Sequence, residues 1–141
     1  MAQPKITDAK CVLLVADHLP TGLAVNAAAV LSLTLGNRVE GLIGPDVKDA
    51  DGHAHAGITL IPVPVLKAGS EKIAQVARQV LDEEDAVTVA FTGTAQSCRT
   101  YDEYIEKMSE LPTDGLEYVG LGLFAPRKLV NRLTGDLPLL R

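Results

Sequence analysis

Apolar runs typical of buried β-strands alternate along this chain with segments typical of helices. The strand-like runs are short, continuous and rich in β-branched residues, and they span residues 11–16, 58–66, 86–91 and 116–124. Helical patterns lie between and after them, at residues 23–35, from 70 to about 81, 100–110 and 126–133. Such alternation is the pattern of a layered α/β domain. We therefore predict a three-layer α/β/α domain built on a mixed sheet of about four strands.

The helical segment 23–35 is apolar nearly all round. Only Asn26, Ser32 and Thr34 interrupt it, and Gly36 with Asn37 is a stop signal. A helix of this kind must be buried, either under another layer of the domain or against a second subunit. The second alternative predicts a homodimer, and a buried Asn26 amide would need hydrogen-bond partners.

Local signals in the other segments predict how each element packs. Pro62 and Pro64 make the run 58–66 an edge strand or one that ends early, because proline donates no ladder hydrogen bond. Residues 92–99 form a loop after a buried strand, and Thr100 with Glu103 fits a capping box. Gly120 and Gly122 allow close approach of another backbone. The helix that begins at Ser70 has one buried face, made of Ile73, Val76, Ala77, Val80 and Leu81.

Composition limits the domain count and the class of partner. The chain has 141 residues, 47% of them hydrophobic and 22% charged, so we predict one packed domain over 1–141 with a flexible N-terminal segment 1–9. Aromatic residues are only 4% and the net charge is −5, which makes nucleic acid an unfavourable partner. Two cysteines form no disulfide framework, and no apolar stretch is long enough for a signal-peptide core or a membrane span. A cytoplasmic protein without a membrane association or a cofactor is the expectation.

Four separated motifs resemble an uncharacterised bacterial family, domain of unknown function 2000. They are LPTGLAVNAAAVLSLTLG, LIGPDVKDADGHAHAG, TAQSCRTYDEY and LVNRLTGDLPLLR, within residues 11–141. That family is similar in fold to the type II peptidyl-tRNA hydrolases, which this resemblance implies for the present chain. The positions that match the hydrolase pattern are Leu19, Gly22, Ala27, Ala28, Leu121, Gly122, Val130, Thr134, Gly135 and Leu137.

The chain departs from the hydrolases at their functional positions. Leu23 and Val25 stand where those enzymes carry lysines, and Ala29 and Ser32 stand where they carry Gln and His. Their Asp falls near Thr92 or Gly93 here. The resemblance therefore implies the fold of these enzymes without their cationic and acid/base groups.

Ligands of α/β sheets bind outside the carboxyl ends of the strands, where two polar loops of this chain are expected. We predict a cleft that binds a small anionic or nucleotide-like ligand, because arginine and helix N-termini suit an anion. Its candidate residues are Thr21, Asn26, Gln96, Ser97 and Arg99.

Two alternatives to ligand binding stay open. A hydrolase could retain peptidyl-tRNA cleavage through different residues, or use Cys98 as nucleophile with His18 as base if their strands are neighbours. An interaction module whose dimer surface is the function is expected if the cleft is filled by side chains.

A polar loop at residues 46–57 carries four residues of metal-ligating types at alternate positions. They are Asp49, Asp51, His53 and His55, which alternation would place on one side of an extended segment. The alternative is a polar turn whose aspartates bond the local backbone, and we predict that no metal binds.

Overall fold

The computed structural model describes residues 3–141, and its main feature is a four-stranded mixed sheet. Its strands are β1 (Ala9–Ala16), β4 (Val65–Ala68), β5 (Val87–Thr92) and β6 (Tyr118–Pro126). They lie in the order β4-β1-β6-β5, with β4 parallel to β1 and the other two pairs antiparallel. A separate hairpin pairs β2 (Val47–Lys48) with β3 (Ala54–His55).

Helices cover both faces of the sheet, which confirms the predicted three-layer α/β/α fold. They are α1 (Thr21–Arg38), α2 (Ser70–Val80), α3 (Gly93–Ser97), α4 (Tyr101–Ser109) and α5 (Arg127–Thr134). Alternate residues of β1 separate the two cores. Val12, Leu14 and Ala16 pack with α2 and α5, whereas Cys11 and Leu13 pack with α1 on the opposite face.

Two glycines of β6 let α1 lie directly on the sheet. A Cβ at Gly120 would stand 2.9 Å from Leu31 Cδ1, and one at Gly122 would stand 2.8 Å from Leu35 Cδ1. The close approach predicted for these glycines is therefore present, and the leucines of α1 occupy the space that side chains of β6 would need.

The prediction that another layer of the domain covers α1 is wrong, whereas cover by a second subunit stays a prediction. The sheet face of α1 is buried at Ala24, Ala27, Leu31 and Leu35, but Val25 is 57% and Leu33 76% exposed. No other layer of residues 3–141 covers this outer face, because α1 is itself the outer layer. The helix also continues past Gly36 to Arg38, and the chain turns instead at Gly41, whose φ is 78°.

Several other boundaries differ from the sequence prediction. Of the run 58–66, only Val65 and Leu66 pair in the sheet, as the start of the edge strand β4, which begins after Pro64 and ends at Ala68. The strand β5 is also an edge strand and only half-buried, and Leu81 is exposed beyond the end of α2. The predicted loop 92–99 contains the short helix α3, and the predicted loop 46–57 contains the β2–β3 hairpin.

The segment before β1 makes specific contacts over its described residues. Gln3 donates through Nε2 to the Glu40 carbonyl at 2.8 Å and accepts from the Glu40 N–H at 2.9 Å. A turn of 3-10 helix at Ile6–Asp8 leads into the strand. Residues 1 and 2 of the segment predicted to be flexible lie outside the described residues. Over residues 3–141, no helix is both apolar and long enough to cross a bilayer.

Candidate ligand-binding cavity

The carboxyl ends of β1 and β5 point to the same end of the sheet, but the two strands are not neighbours. Each is antiparallel to β6, which lies between them and therefore separates them by about 10 Å at the usual strand spacing. His18 and Thr21 follow β1, whereas Cys98 and Arg99 follow β5 and α3. The predicted pairing of His18 with Cys98 depends on adjacent strands, which the sheet order does not supply.

An open cavity of about 420 Å³ lies beside the carboxyl-terminal half of β5. Strand β5 and the carboxyl-terminal half of α1 form two walls, and the segment from α3 through the first turn of α4 forms the third. The lining residues are Val30, Thr34, Val89, Ala90, Phe91, Ala95, Cys98, Arg99, Thr100, Tyr101 and Tyr104. The volume lies within the range of small-molecule sites.

Two helix caps fix the segment that carries Cys98 and Arg99. Thr92 Oγ1 accepts from the Ala95 N–H at 3.2 Å at the start of α3, and Thr100 Oγ1 accepts from the Glu103 N–H at 3.1 Å at the start of α4. Glu103 Oε2 in turn accepts from the backbone N–H of Arg99 at 3.3 Å. Half of the capping box predicted at Thr100 is thus formed, because the threonine hydroxyl caps α4 but Glu103 accepts from the N–H of Arg99, one residue before the N-cap.

Arg99 is the cation of this cavity. Its guanidinium makes no salt bridge with any residue in 3–141, whereas nearby Lys107 is paired with Glu103 at 3.0 Å. That hydrogen bond raises the pKa of Lys107 and lowers the pKa of Glu103, with the charge of Cys98 a further cause at Lys107. Arg99 is therefore the positive group available to a ligand.

Two tyrosines form an aromatic wall opposite α1. The rings of Tyr101 and Tyr104 meet edge to face with centroids 5.4 Å apart, and Tyr101 is 73% exposed. Burial raises the pKa of Tyr104, with smaller contributions from Tyr101 and Cys98. Because Tyr101 and Arg99 line the same cavity, the exposed ring can stack against a planar ligand while the guanidinium binds its anionic group.

The two cysteines have different surroundings. Cys98 is partly exposed in the cavity, whereas Cys11 is buried within β1 and only 1% exposed. Burial raises the pKa of the Cys11 thiol from 9.0 to about 11. Cys98 is therefore the thiol that solvent and ligands can reach.

The other residues predicted for the cleft are not brought to this cavity. Thr21 lines a separate space of about 190 Å³, with Asp17, Lys67 and Arg141 around it. His18 is exposed in the turn after β1 and lines neither space. Asn26 is exposed on the outer side of α1, so the inference that its amide is buried is wrong.

Gln96 and Ser97 lie on α3 and do not line the cavity. Ser97 Oγ donates to the Thr94 carbonyl at 3.0 Å, within its own helix. Gln96 Nε2 is buried and has no hydrogen-bond partner in residues 3–141. Of the residues predicted for ligand binding and catalysis, only Cys98 and Arg99 therefore share one space.

The Asp/His loop is a polar turn centred on Asp49. Oδ1 of Asp49 accepts from the N–H groups of Asp51 at 2.9 Å and His53 at 3.1 Å, and Oδ2 lies 2.8 Å from His55 Nε2. These bonds lower the pKa of Asp49. Gly52, with φ of 86°, turns the chain, so the four side chains do not share one side of an extended segment. Within residues 3–141, no group of three His, Cys, Asp or Glu side chains is arranged to hold a metal ion.

Comparison with known proteins gives a family and a fold. A family model described as a protein of unknown function, DUF2000, matches residues 9–141. The chain belongs to this family. A solved structure of a protein of unknown function from Agrobacterium tumefaciens strain C58 matches this DUF2000 chain with a TM-score of 0.85. The match covers 95% of the DUF2000 chain and 98% of the other at 22% identity, and it shows the fold alone. No curated protein matches.

Sequence reasoning missed every lining residue of the DUF2000 cavity except Cys98 and Arg99, among them Val30 and Thr34 of α1 and the two tyrosines, Tyr101 and Tyr104. A signal for the tyrosines was present, because they stand three residues apart and therefore share one face of a helix that opens directly after Arg99. The α1 residues had no such signal, since their proximity to Arg99 arises only when α1 packs across the sheet. The likeness of DUF2000 to type II peptidyl-tRNA hydrolases stays a prediction.

Proposed function

We propose that the chain binds a small anionic, nucleotide-like molecule in the cavity beside β5. The observation that carries the proposal is that the Arg99 guanidinium, which makes no salt bridge in residues 3–141, and the exposed Tyr101 ring line the same open space of about 420 Å³. A phosphate or carboxylate group would bind Arg99, and a planar ring would stack on the tyrosine. The threonine hydroxyls of Thr34 and Thr100 supply further hydrogen bonds.

Ligand binding is favoured over hydrolysis by the chemistry of the lining. Cys98 is accessible, but no histidine, aspartate or glutamate is among the cavity residues within 3–141. Arg99 could stabilise a thiolate at Cys98, but hydrolysis also needs a general base to activate water, and the usual histidine or carboxylate base is missing from this lining. An interaction module without a ligand is favoured less, because the cavity is open rather than filled by side chains.

Thermal shift and calorimetric titration with inorganic phosphate, AMP, ADP and GMP test the proposal. We expect at least one of these probes to raise the melting temperature of the wild-type chain, and Arg99→Ala to weaken its binding about 10- to 100-fold. This is the range of about 1.5–3 kcal/mol for hydrogen bonds to a charged group. Tyr101→Leu is expected to weaken the binding of the nucleotides more than the binding of phosphate, because phosphate has no ring to stack.

Arg132→Ala is the matched control, since it removes the same charge from an exposed position on α5, on the opposite face of the sheet. Absence of a shift with all four probes would contradict the proposal. So would a shift that survives unchanged in Arg99→Ala.

A further inference from the structure

The two edges of the sheet are protected to different degrees. At the β4 edge, the C-terminal segment adds hydrogen bonds, from Leu140 N–H to the Val65 carbonyl at 2.8 Å and from Lys67 N–H to the Pro138 carbonyl at 3.0 Å. Leu66 and Leu139 form a bridge at the same place. These contacts close the edge against pairing with another chain.

The β5 edge has no equivalent cover. Among residues 3–141, the backbone groups of 87–91 make no hydrogen bond outside their pairing with β6. The strand reads Val-Thr-Val-Ala-Phe-Thr, without the charged residue or proline that commonly protects an edge, and Thr88 and Ala90 are exposed. It is a template for another strand.

Open space follows this edge from Ala86 to Phe91. A groove of about 400 Å³ beside the start of β5 shares Thr34 and Val89 with the ligand cavity beside its end. A partner strand can therefore approach β5 from Ala86 to Phe91 without displacing a covering element of the described chain.

The charges at the two ends of β5 select the partner and its direction. Four acidic residues, 82–85, precede the strand, and Glu83 lines the groove there. Arg38 lines the same groove and makes no salt bridge in residues 3–141. Its single positive charge does not balance the four acidic residues, so this end of β5 stays negative. At the other end stands the unpaired Arg99. In an antiparallel pair, the acidic turn of the second copy lies beside Arg99 of the first. By two-fold symmetry, the acidic turn of the first copy also lies beside the arginine of the second.

We propose that two copies of this chain pair through β5, antiparallel about a two-fold axis, to form a continuous eight-stranded sheet. A parallel arrangement is unfavourable because it sets the two acidic turns side by side. The two-fold contact closes both open edges and leaves no strand free for further addition. The partner's acidic turn and an anionic ligand would compete for Arg99, so the dimer is tested without ligand and stands independently of the proposed function.

Sedimentation velocity over a wide concentration range tests the dimer. The wild-type chain is expected to reach twice the 14.9 kDa of one chain. Thr88→Lys is expected to weaken association about tenfold or more, because two added charges would meet at the paired edges. Gln75→Lys adds the same charge at an exposed position of α2 and should leave association unchanged. Far-UV circular dichroism checks that each variant is folded.

Charge reversal tests the direction of pairing. Arg99→Glu is expected to weaken the dimer, and addition of Glu83→Arg to restore it, since the pair is exchanged rather than lost. Hydrogen exchange tests the same contact on the wild-type chain, without a variant. The β5 amides should exchange more slowly as protein concentration rises, because pairing would protect them. A chain that stays monomeric at all concentrations would overturn the proposal, as would a dimer that neither Thr88→Lys nor Arg99→Glu weakens.

Discussion

Replacement of Gly122 by alanine inserts a methyl group into the closest contact between α1 and the sheet. The new Cβ would lie 2.8 Å from Leu35 Cδ1 and 2.8 Å from Val89 Cγ1, whereas carbon atoms in contact ordinarily stand about 3.5–4.0 Å apart. Leu35 is fully buried, and the β-branched Val89 has few rotamers. Relief therefore requires α1 to move away from the strands it covers.

The expected cost follows from two opposing effects. Overpacking of a tight core costs about 1–3 kcal/mol. Loss of the glycine restricts the unfolded chain and returns about 0.5–1 kcal/mol. Because the methyl group would meet two side chains at 2.8 Å, we take the upper part of the overpacking range, about 2–3 kcal/mol, and expect Gly122→Ala to lower the free energy of unfolding by about 1–2.5 kcal/mol after the return is subtracted.

Gly36→Ala is the matched control, because a Cβ there meets no atom within 4 Å and its φ is not positive. It should stabilise α1 by about 0.5–1 kcal/mol. Urea unfolding followed by far-UV circular dichroism measures both variants, since the chain has no tryptophan to report by fluorescence.

A double mutant separates overpacking from other effects of the alanine. Leu35→Ala alone should cost about 2–5 kcal/mol. Combined with Gly122→Ala it should cost at least about 1 kcal/mol less than the sum, because the new methyl group occupies part of the space left by the leucine. A Gly122→Ala protein as stable as the wild type, or strictly additive costs, would refute the contact described between α1 and β6.

Three further predictions concern the thiols and the cap beside the cavity. At neutral pH, a thiol reagent should modify Cys98 in the folded chain and leave buried Cys11 unmodified until unfolding; mass spectrometry of the labelled peptides checks this, and early labelling of Cys11 would contradict it. Stability should fall between pH 9 and about 11, because the unfolded chain releases the Cys11 proton before the folded chain does. The pKa shift of Cys11 corresponds to about 2–3 kcal/mol. Urea titrations at several pH values measure this loss of stability. The part caused by Cys11 should be absent in Cys11→Val and should remain in Cys98→Val. Thr100→Ala should destabilise the chain by about 1 kcal/mol through loss of the α4 cap, whereas Thr100→Ser should not, and equal stability of the two variants in urea would count against the cap.

The sequence predicted those elements whose periodicity or caps are local. The pattern of β1 is a continuous apolar run, α2 has one apolar face, and the Thr100 cap lies within four residues of its partner. The glycines of β6 also indicated close packing correctly. In each case the evidence for the element lies inside the element itself.

Elements that depend on their neighbours were predicted less well. Apolar composition suggested full burial of α1, but an outer helix of a three-layer domain meets the sheet on one side only, and small residues such as Ala29 can face outward at little cost. Helix α3 is five residues long and is started by the Thr92 cap, so no apolar period marks it.

The site was predicted in part because its residues come from two distant places in the chain. Arg99 and Cys98 follow a strand end, which sequence rules can locate. The prediction that the loop after β1 faces them holds only if β1 and β5 are neighbours. Strand β6 is last in the chain but second from one edge in the sheet, and its insertion carries His18 away from Cys98.

The same insertion explains why the cavity and the open edge lie together. Because β6 takes the central position, β5 lies at the edge of the sheet. The α3–α4 segment follows β5 in the chain, and no strand lies beyond β5 for this segment to pack on. That segment instead lies past the carboxyl end of β5 and forms one wall of the open space lined by Arg99 and Tyr101. A ligand and a second copy of the chain would therefore meet the same arginine, and measurement of either interaction must control for the other.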